Sequence, residues 1–184
     1  MDKFDYLEKV HRLEQQAAHL DQEGWLRFEV FTPEWWILVS FLIFPWILWY
    51  KFAIKDKLLE SLFVGTLVII PTTYLDVIGL VFEFWVYPTQ LVPISPRAIP
   101  FDMSMVPVAF MFIFQYFTSW KSYSIALVLM STLFAFVGEP ISSRLELVSY
   151  INWHYVYSFF YYLVIGFGVR TIVLKVKKLS LSGS

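Results

Sequence analysis

Ten side chains in this sequence combine binding or reactive chemistry with positions in or beside apolar runs: Asp76, Glu83, Asp102, Glu139, Arg144, Asn152, Trp153, His154, Tyr157 and Tyr161. An ionisable group inside a membrane-length apolar segment is costly unless it faces a bundle interior or a cavity. Asp76 is therefore read either as an internal hydrogen bond locking helices together or as a proton, ligand or ion group. Asp102 suits a helix N-cap, accepting from the backbone N–H groups near Ser104 and Met105, a role compatible with membership of a site. Glu139 ends an apolar helix, where its charge opposes the helix dipole. It needs a compensating partner, and Arg144, five residues on, is the natural one. The pair would be a structural clamp or part of a site. His154 would make a structural hydrogen bond or act as a general acid–base. Asp76, Glu139 and His154 are the candidate catalytic groups. Tyr150, Tyr157 and Tyr161 share a helix face with His154, and Trp153 sits at its edge. That face is either ordinary aromatic packing or the wall of a pocket for an isoprenoid or a lipid head group.

Other chemistries find little support. No cysteine occurs, which removes disulfides, thiolate catalysis and cysteine-held metals while leaving the redox compartment open. His154, Glu139 and Asp102 lack any H-x-x-x-H or H-E-x-x-H spacing, so no metal site and no cofactor are expected. Phosphate-loop glycines, a dinucleotide fingerprint and a nucleophile elbow are absent. The net charge of -1 offers no basic field for nucleic acid.

The elements that must position these residues are membrane spans. The chain is 58% hydrophobic and only 16% charged, with its charges segregated between long apolar runs. A soluble chain is nearer 25% charged. The expected fold is all-α, an integral membrane bundle of about five transmembrane helices with an N-terminal amphipathic helix. Residues 1–31 form that arm, its helix ending near Gly24, and no cleavable signal peptide is expected. Residues 32–175 hold the five spans, and 176–184 form a flexible tail. Thr32-Pro33-Glu34 is a helix start, with a capping hydroxyl, a proline at the first position and an early carboxylate. The first span covers about 35–50, with aromatic pairs at both interfaces and a kink at Pro45. The second covers 58–82, the third 103–120, the fourth 122–140 and the fifth 150–174. Between Phe84 and Phe101 four prolines preclude one regular helix. This connection is read as irregular or re-entrant, its backbone sheltered by protein or wetted at the interface.

Five spans put the termini on opposite sides and gather Asp76, Glu83, Asp102, Glu139, Arg144 and His154 around one mouth. Near its span ends that side carries Arg27, Arg97 and Arg144, with Lys3, Lys9 and Arg12 farther out on the arm; the other carries Lys51, Lys55, Lys57, Lys121, Lys175, Lys177 and Lys178. The excess places the lysines in the cytoplasm, with the N-terminus outside and the C-terminus inside.

The runs FWVYPTQLVPISPRAIPFDMSMVPVAFMFIFQYF, FAFVGEPI and INWHYVYSFFYY resemble a family of small multi-pass membrane proteins of spore-forming Bacillus and Clostridium relatives. Tyr87-Pro88, Asp102, Pro107, Gln115-Tyr116 and Glu139-Pro140 carry the likeness, which covers roughly residues 35–170. It implies fold and a bacterial cytoplasmic-membrane location, and no activity. A weaker likeness to membrane-embedded carotenoid and terpene cyclases rests on Glu139-Pro140, without their fuller acidic motif. The leading expectation is a module that binds a membrane lipid, an isoprenoid-like ligand or a partner, including another copy of itself. The alternatives are an isoprenoid cyclase using its acidic residues and a component of small-solute or ion transport.

Overall fold

Local chemistry sets the helix starts. In the computed structural model, which describes residues 2–182, α1 (Lys3–Phe28) begins with a capping box. Asp2 accepts from the Phe4 and Asp5 N–H groups, while Asp5 accepts from the Asp2 N–H. The helix runs past Gly24 to Phe28, because nothing crowds that glycine and the flanking residues keep helical propensity. None of its side chains is fully buried. Thr32 caps α2 (Pro33–Phe52) through the Trp35 N–H, as the Thr-Pro-Glu start predicts.

The remaining helices are α3 (Leu58–Val81), α4 (Val106–Tyr116), α5 (Trp120–Leu133), α6 (Glu139–Arg144) and α7 (Tyr155–Ser182). A π-helical turn, Phe101–Met105, leads into α4, and another, Phe134–Gly138, joins α5 to α6 without a break. The product is an all-α bundle in which four helices are long and apolar enough to cross a membrane: Pro33–Phe52, Lys55–Val81, Trp120–Arg144 and Tyr155–Ser180. The third expected span is shorter, five residues of π turn and 11 of α-helix. It rises about 24 Å, below the roughly 30 Å hydrocarbon thickness. It is also the most enclosed helix. Phe110, Met111, Phe114 and Gln115 are buried where α3, α2 and α5 pack around it. The main apolar core is built on this helix, with Val64, Val68, Leu127, Val169 and Val173 against α4. Gly166 permits the close approach of α7 to α5 in this core, since a Cβ there would lie 2.5 Å from Leu127.

The two ends of α4 meet different parts of the chain. At its end, Gln115 accepts from the Ile54 N–H and the Tyr116 hydroxyl donates to the Phe52 carbonyl, both at the turn between α2 and α3. At its start lies the proline-rich connection, which is sheltered by protein. The Trp25 and Trp35 indoles donate to the Gln90 and Leu91 carbonyls, and Glu29 accepts from the Gln90 N–H at 2.6 Å. Within this connection β1 (Trp85–Val86) pairs antiparallel with β2 (Ser149–Tyr150), Trp85 opposite Tyr150. Two expectations change here. Trp49 is a bundle residue donating to Ser61, instead of an interfacial anchor. Helix α7 continues through Ser182, where a flexible tail was expected from 176; Gly183 and Ser184 lie outside the described residues.

Candidate functional site

Helix α3 stops one residue short of Glu83, and that stop builds the floor of the site. Glu83 takes a left-handed conformation (φ 54°), with its N–H on the Leu80 carbonyl and the Phe84 N–H on the Gly79 carbonyl. This is the double-bonded helix end in which the residue after the cap turns left-handed. The chain then reverses, and the Trp85 ring packs directly on Gly79. A Cβ on Gly79 would fall 2.2 Å from that indole ring, so only glycine admits it.

Asp76, one turn back and buried, ties the reversed chain down. Its Oδ1 accepts from the Trp85 indole at 3.2 Å and the Tyr87 hydroxyl at 2.5 Å. Its Oδ2 accepts from the Arg97 and Ala98 N–H groups at 3.0 and 3.4 Å. Both oxygens are thus satisfied by protein, as a buried carboxylate requires. Burial and the Asp76 charge hold the Tyr87 phenol well above its ordinary range, so it stays a donor.

Two other carboxylates enter the same space from the π turns. Each π turn ends two residues before a proline: Met105 before Pro107 and Gly138 before Pro140. Proline removes an N–H from the helical ladder. A π turn is one way for the helix to accommodate that loss, and such turns recur at functional sites. Asp102 lies within the first and Glu139 directly after the second, both buried. Asp102 is not an N-cap. The helix already begins upstream at Ile99, and the Asp102 N–H bonds the Ala98 carbonyl. Its Oδ2 has no hydrogen-bond partner. Glu139 Oε1 accepts from Tyr162 at 3.4 Å, the Tyr150 and Ser158 hydroxyls lie close by, and its Oε2 has no partner.

These groups line one cavity of about 130 Å³ whose wall is rich in aromatic rings, with aliphatic side chains and three hydroxyl-bearing Ser and Thr residues between them. Eight rings contribute: Trp85, Tyr87, Phe101, Phe134, Tyr150, Trp153, Tyr161 and Tyr162. Several are held by their neighbours. Trp153 donates to Ser158 at 2.8 Å and packs edge-on to Trp85, and Tyr161 donates to Thr72 at 2.9 Å. Burial and the Glu139 carboxylate raise the Tyr150 phenol far above its usual range. Two acceptor oxygens without partners, set among ring faces, favour a guest that donates hydrogen bonds or carries positive charge on an apolar body.

Asp76, Asp102, Glu139, Trp153 and Tyr161 line the cavity; Glu83, Arg144, Asn152, His154 and Tyr157 do not. The expected Glu139–Arg144 ion pair is absent. Pro140 does not end the helix, and its continuation through Arg144 leaves that side chain exposed, with no carboxylate in ion-pair range among the described residues. His154 and Asn152 precede α7 instead of starting it. His154 is exposed and edge-on to Tyr157, and Asn152 donates to the Glu83 carbonyl. The lining residues with hydrogen-bonding side chains that were not expected are Thr72, Trp85, Tyr87, Ser142, Ser158 and Tyr162. Prolines set inside apolar runs near an acid, Asp102/Pro107 and Glu139/Pro140, were the available signal. Among the described residues no group of three or more His, Cys, Asp or Glu is placed to hold a metal ion. Set against family models, curated proteins and solved structures, the chain matches none of them.

Proposed function

We propose that this protein is a membrane-embedded binding module for a lipid-like molecule with an amine or hydroxyl head. The head would donate to Asp102 and Glu139, and the apolar body would lie against the surrounding rings. The observation that carries this reading is the pair of buried oxygens, Asp102 Oδ2 and Glu139 Oε2, left without partners in one aromatic cavity. An unsatisfied buried acceptor costs about 1–3 kcal/mol, so a donor-bearing guest is favoured at both. Asp76, with all its donors supplied by protein, acts as the tie that keeps the cavity in shape.

The same reading puts the protein in a bacterial cytoplasmic membrane, as a relative of the small multi-pass family it resembles. Five crossings are favoured over four because α4 reaches from the proline-rich connection to the α2–α3 turn. The lysine excess at that turn and along the end of α7 supports N-out, C-in, and α1 would lie at the outer surface. A second reading is acid–base chemistry on a bound isoprenoid, drawing on the same two carboxylates.

Mass spectrometry of lipid extracted from the purified protein tests both. Wild type should retain a defined species that Asp102→Asn and Glu139→Gln lose while both variants remain folded, their melting falling by no more than loss of the guest entails. Recovery of the guest in altered form from wild type alone would favour the chemical reading. Identical bulk lipid in all three proteins would reject both.

A further inference from the structure

Twelve residues along α7 from Ser158, about 18 Å away, Arg170 is buried to 3% exposure. Its two Nη groups donate to the Phe117 carbonyl at 2.9 Å and to the Thr118 carbonyl. The guanidinium lies 4.2 Å from the centre of the Tyr123 ring and 4.9 Å from that of Trp120. These contacts fix its orientation, but no carboxylate lies in ion-pair range among the described residues and Nε has no partner. The carbonyls at the end of α4 offer only the partial negative charge of a helix terminus.

Arg170 borders a second cavity of about 160 Å³, shared with Lys57, Lys177, Glu60 and the apolar side chains Phe114 and Leu174. Lys57 Nζ donates to the Gln115 carbonyl at 2.7 Å, and Lys177 pairs with Glu60 at 2.7 Å. Three cations thus face one carboxylate. An ammonium has three N–H donors, so each lysine keeps two beyond its present bond. With the unpartnered Arg170 Nε–H they give the cavity several charged N–H donors, of the kind phosphate oxygens accept from. Lys121, Lys175 and Lys178 lie in the flanking helix ends and add to the local positive field.

We propose that this cavity binds a phosphate group, carried either by an anionic phospholipid head or by free inorganic phosphate. Arg170 is the fixed floor, pre-oriented by two carbonyls and two rings. Lys57 and Lys177 close on the anion from the rim. Leu174 and Phe114 provide the apolar wall along which the stem of a lipid would leave. Among the lining residues Glu60 is the one opposing charge, with Asp56 next to Lys57 in the chain, and its pairing with Lys177 holds the rim when no anion is bound.

The intact protein, melted in detergent with added phosphatidylglycerol, phosphatidylcholine or inorganic phosphate at constant ionic strength, tests the site. Phosphatidylglycerol should protect saturably and phosphatidylcholine should not. Protection by inorganic phosphate alone would identify the free anion as the ligand of the same site. Arg170 is too deeply built in to be a clean probe, so the variants are at the rim. Lys57→Gln, which keeps a donor for the Gln115 carbonyl, should weaken the apparent affinity about fivefold, and Glu60→Gln should strengthen it by about the same factor. A purely structural cluster would show neither shift. Absence of saturable protection by both anions, or variants that leave it unmoved or move it in the same direction, would overturn the proposal.

Discussion

Removing the Asp76 carboxylate should be the most damaging single truncation at the site end of the bundle. Asp76→Ala strands four donors: the Trp85 indole, the Tyr87 hydroxyl and the Arg97 and Ala98 N–H groups. Trp85 and Ala98 are buried, so water cannot readily replace the lost acceptor at either. An unsatisfied buried donor costs about 1–3 kcal/mol. With two of the four remaining dry, the loss is about 4 kcal/mol. At roughly 2–4 °C per kcal/mol for a chain of this size, melting should fall by roughly 8–16 °C. Asp76→Asn should cost about half as much. Its amide oxygen still accepts from Trp85 and Tyr87, while its NH2 group confronts the N–H groups of Arg97 and Ala98. Thermal melts in detergent, followed by tryptophan emission and by proteolysis within residues 84–100, read both effects. A fall of under about 2 °C for Asp76→Ala, with the connection still protected, would refute the tie.

Gly79→Ala should displace the Trp85 ring, cost about 1–3 kcal/mol by overpacking and shift tryptophan emission; unaltered emission and melting would contradict the close approach. Glu29 titrates above its ordinary 4.5, chiefly because it is partly buried, with Asp21 adding to the shift and the Gln90 N–H and Arg97 opposing it. A raised carboxylate binds its proton more tightly when folded, so Glu29's own contribution to the docking of α1 should be largest below pH 4.5 and be lost as pH rises through the raised value, beside the Arg97–Asp21 ion pair at 3.0 Å that also holds α1 to the connection. Glu29→Gln should flatten that dependence in hydrogen exchange of the Gln90 amide; the same slope in the variant would assign it to another group. Cysteines introduced singly at 55 and 97 should be labelled from outside intact cells only at 97, and the reverse pattern would invert the orientation.

What could be read from the chain alone was local chemistry and axial position. Thr32-Pro33-Glu34 specifies a helix start within four residues, and it forms as expected. Asp76 declared its burial through the apolar residues on both sides. What could not be read was azimuth and long-range pairing. Gathering Asp102, Glu139, Arg144 and His154 at one end said nothing about which faced inward. The π turns that precede Pro107 and Pro140 decide that by rotating the helical segments downstream of them. Arg144 was lost to the exterior for the same reason. The pairing of Trp85 with Tyr150 joins segments far apart in sequence, and neither two-residue strand carries a periodicity of its own.

The central claim, that Asp102 and Glu139 receive the donor-bearing head of an apolar guest, is met most directly by a binding titration. The protein in lipid nanodiscs is titrated with a long-chain primary amine, a long-chain alcohol and a fatty acid of the same length, and tryptophan quenching is followed. The amine and the alcohol should quench saturably, and the fatty acid, whose carboxylate the site repels, should not. Asp102→Asn and Glu139→Gln should each weaken the amine about tenfold or more, as expected for a lost hydrogen bond to a charged group. Quenching that rises linearly for all three probes and ignores both substitutions would contradict it.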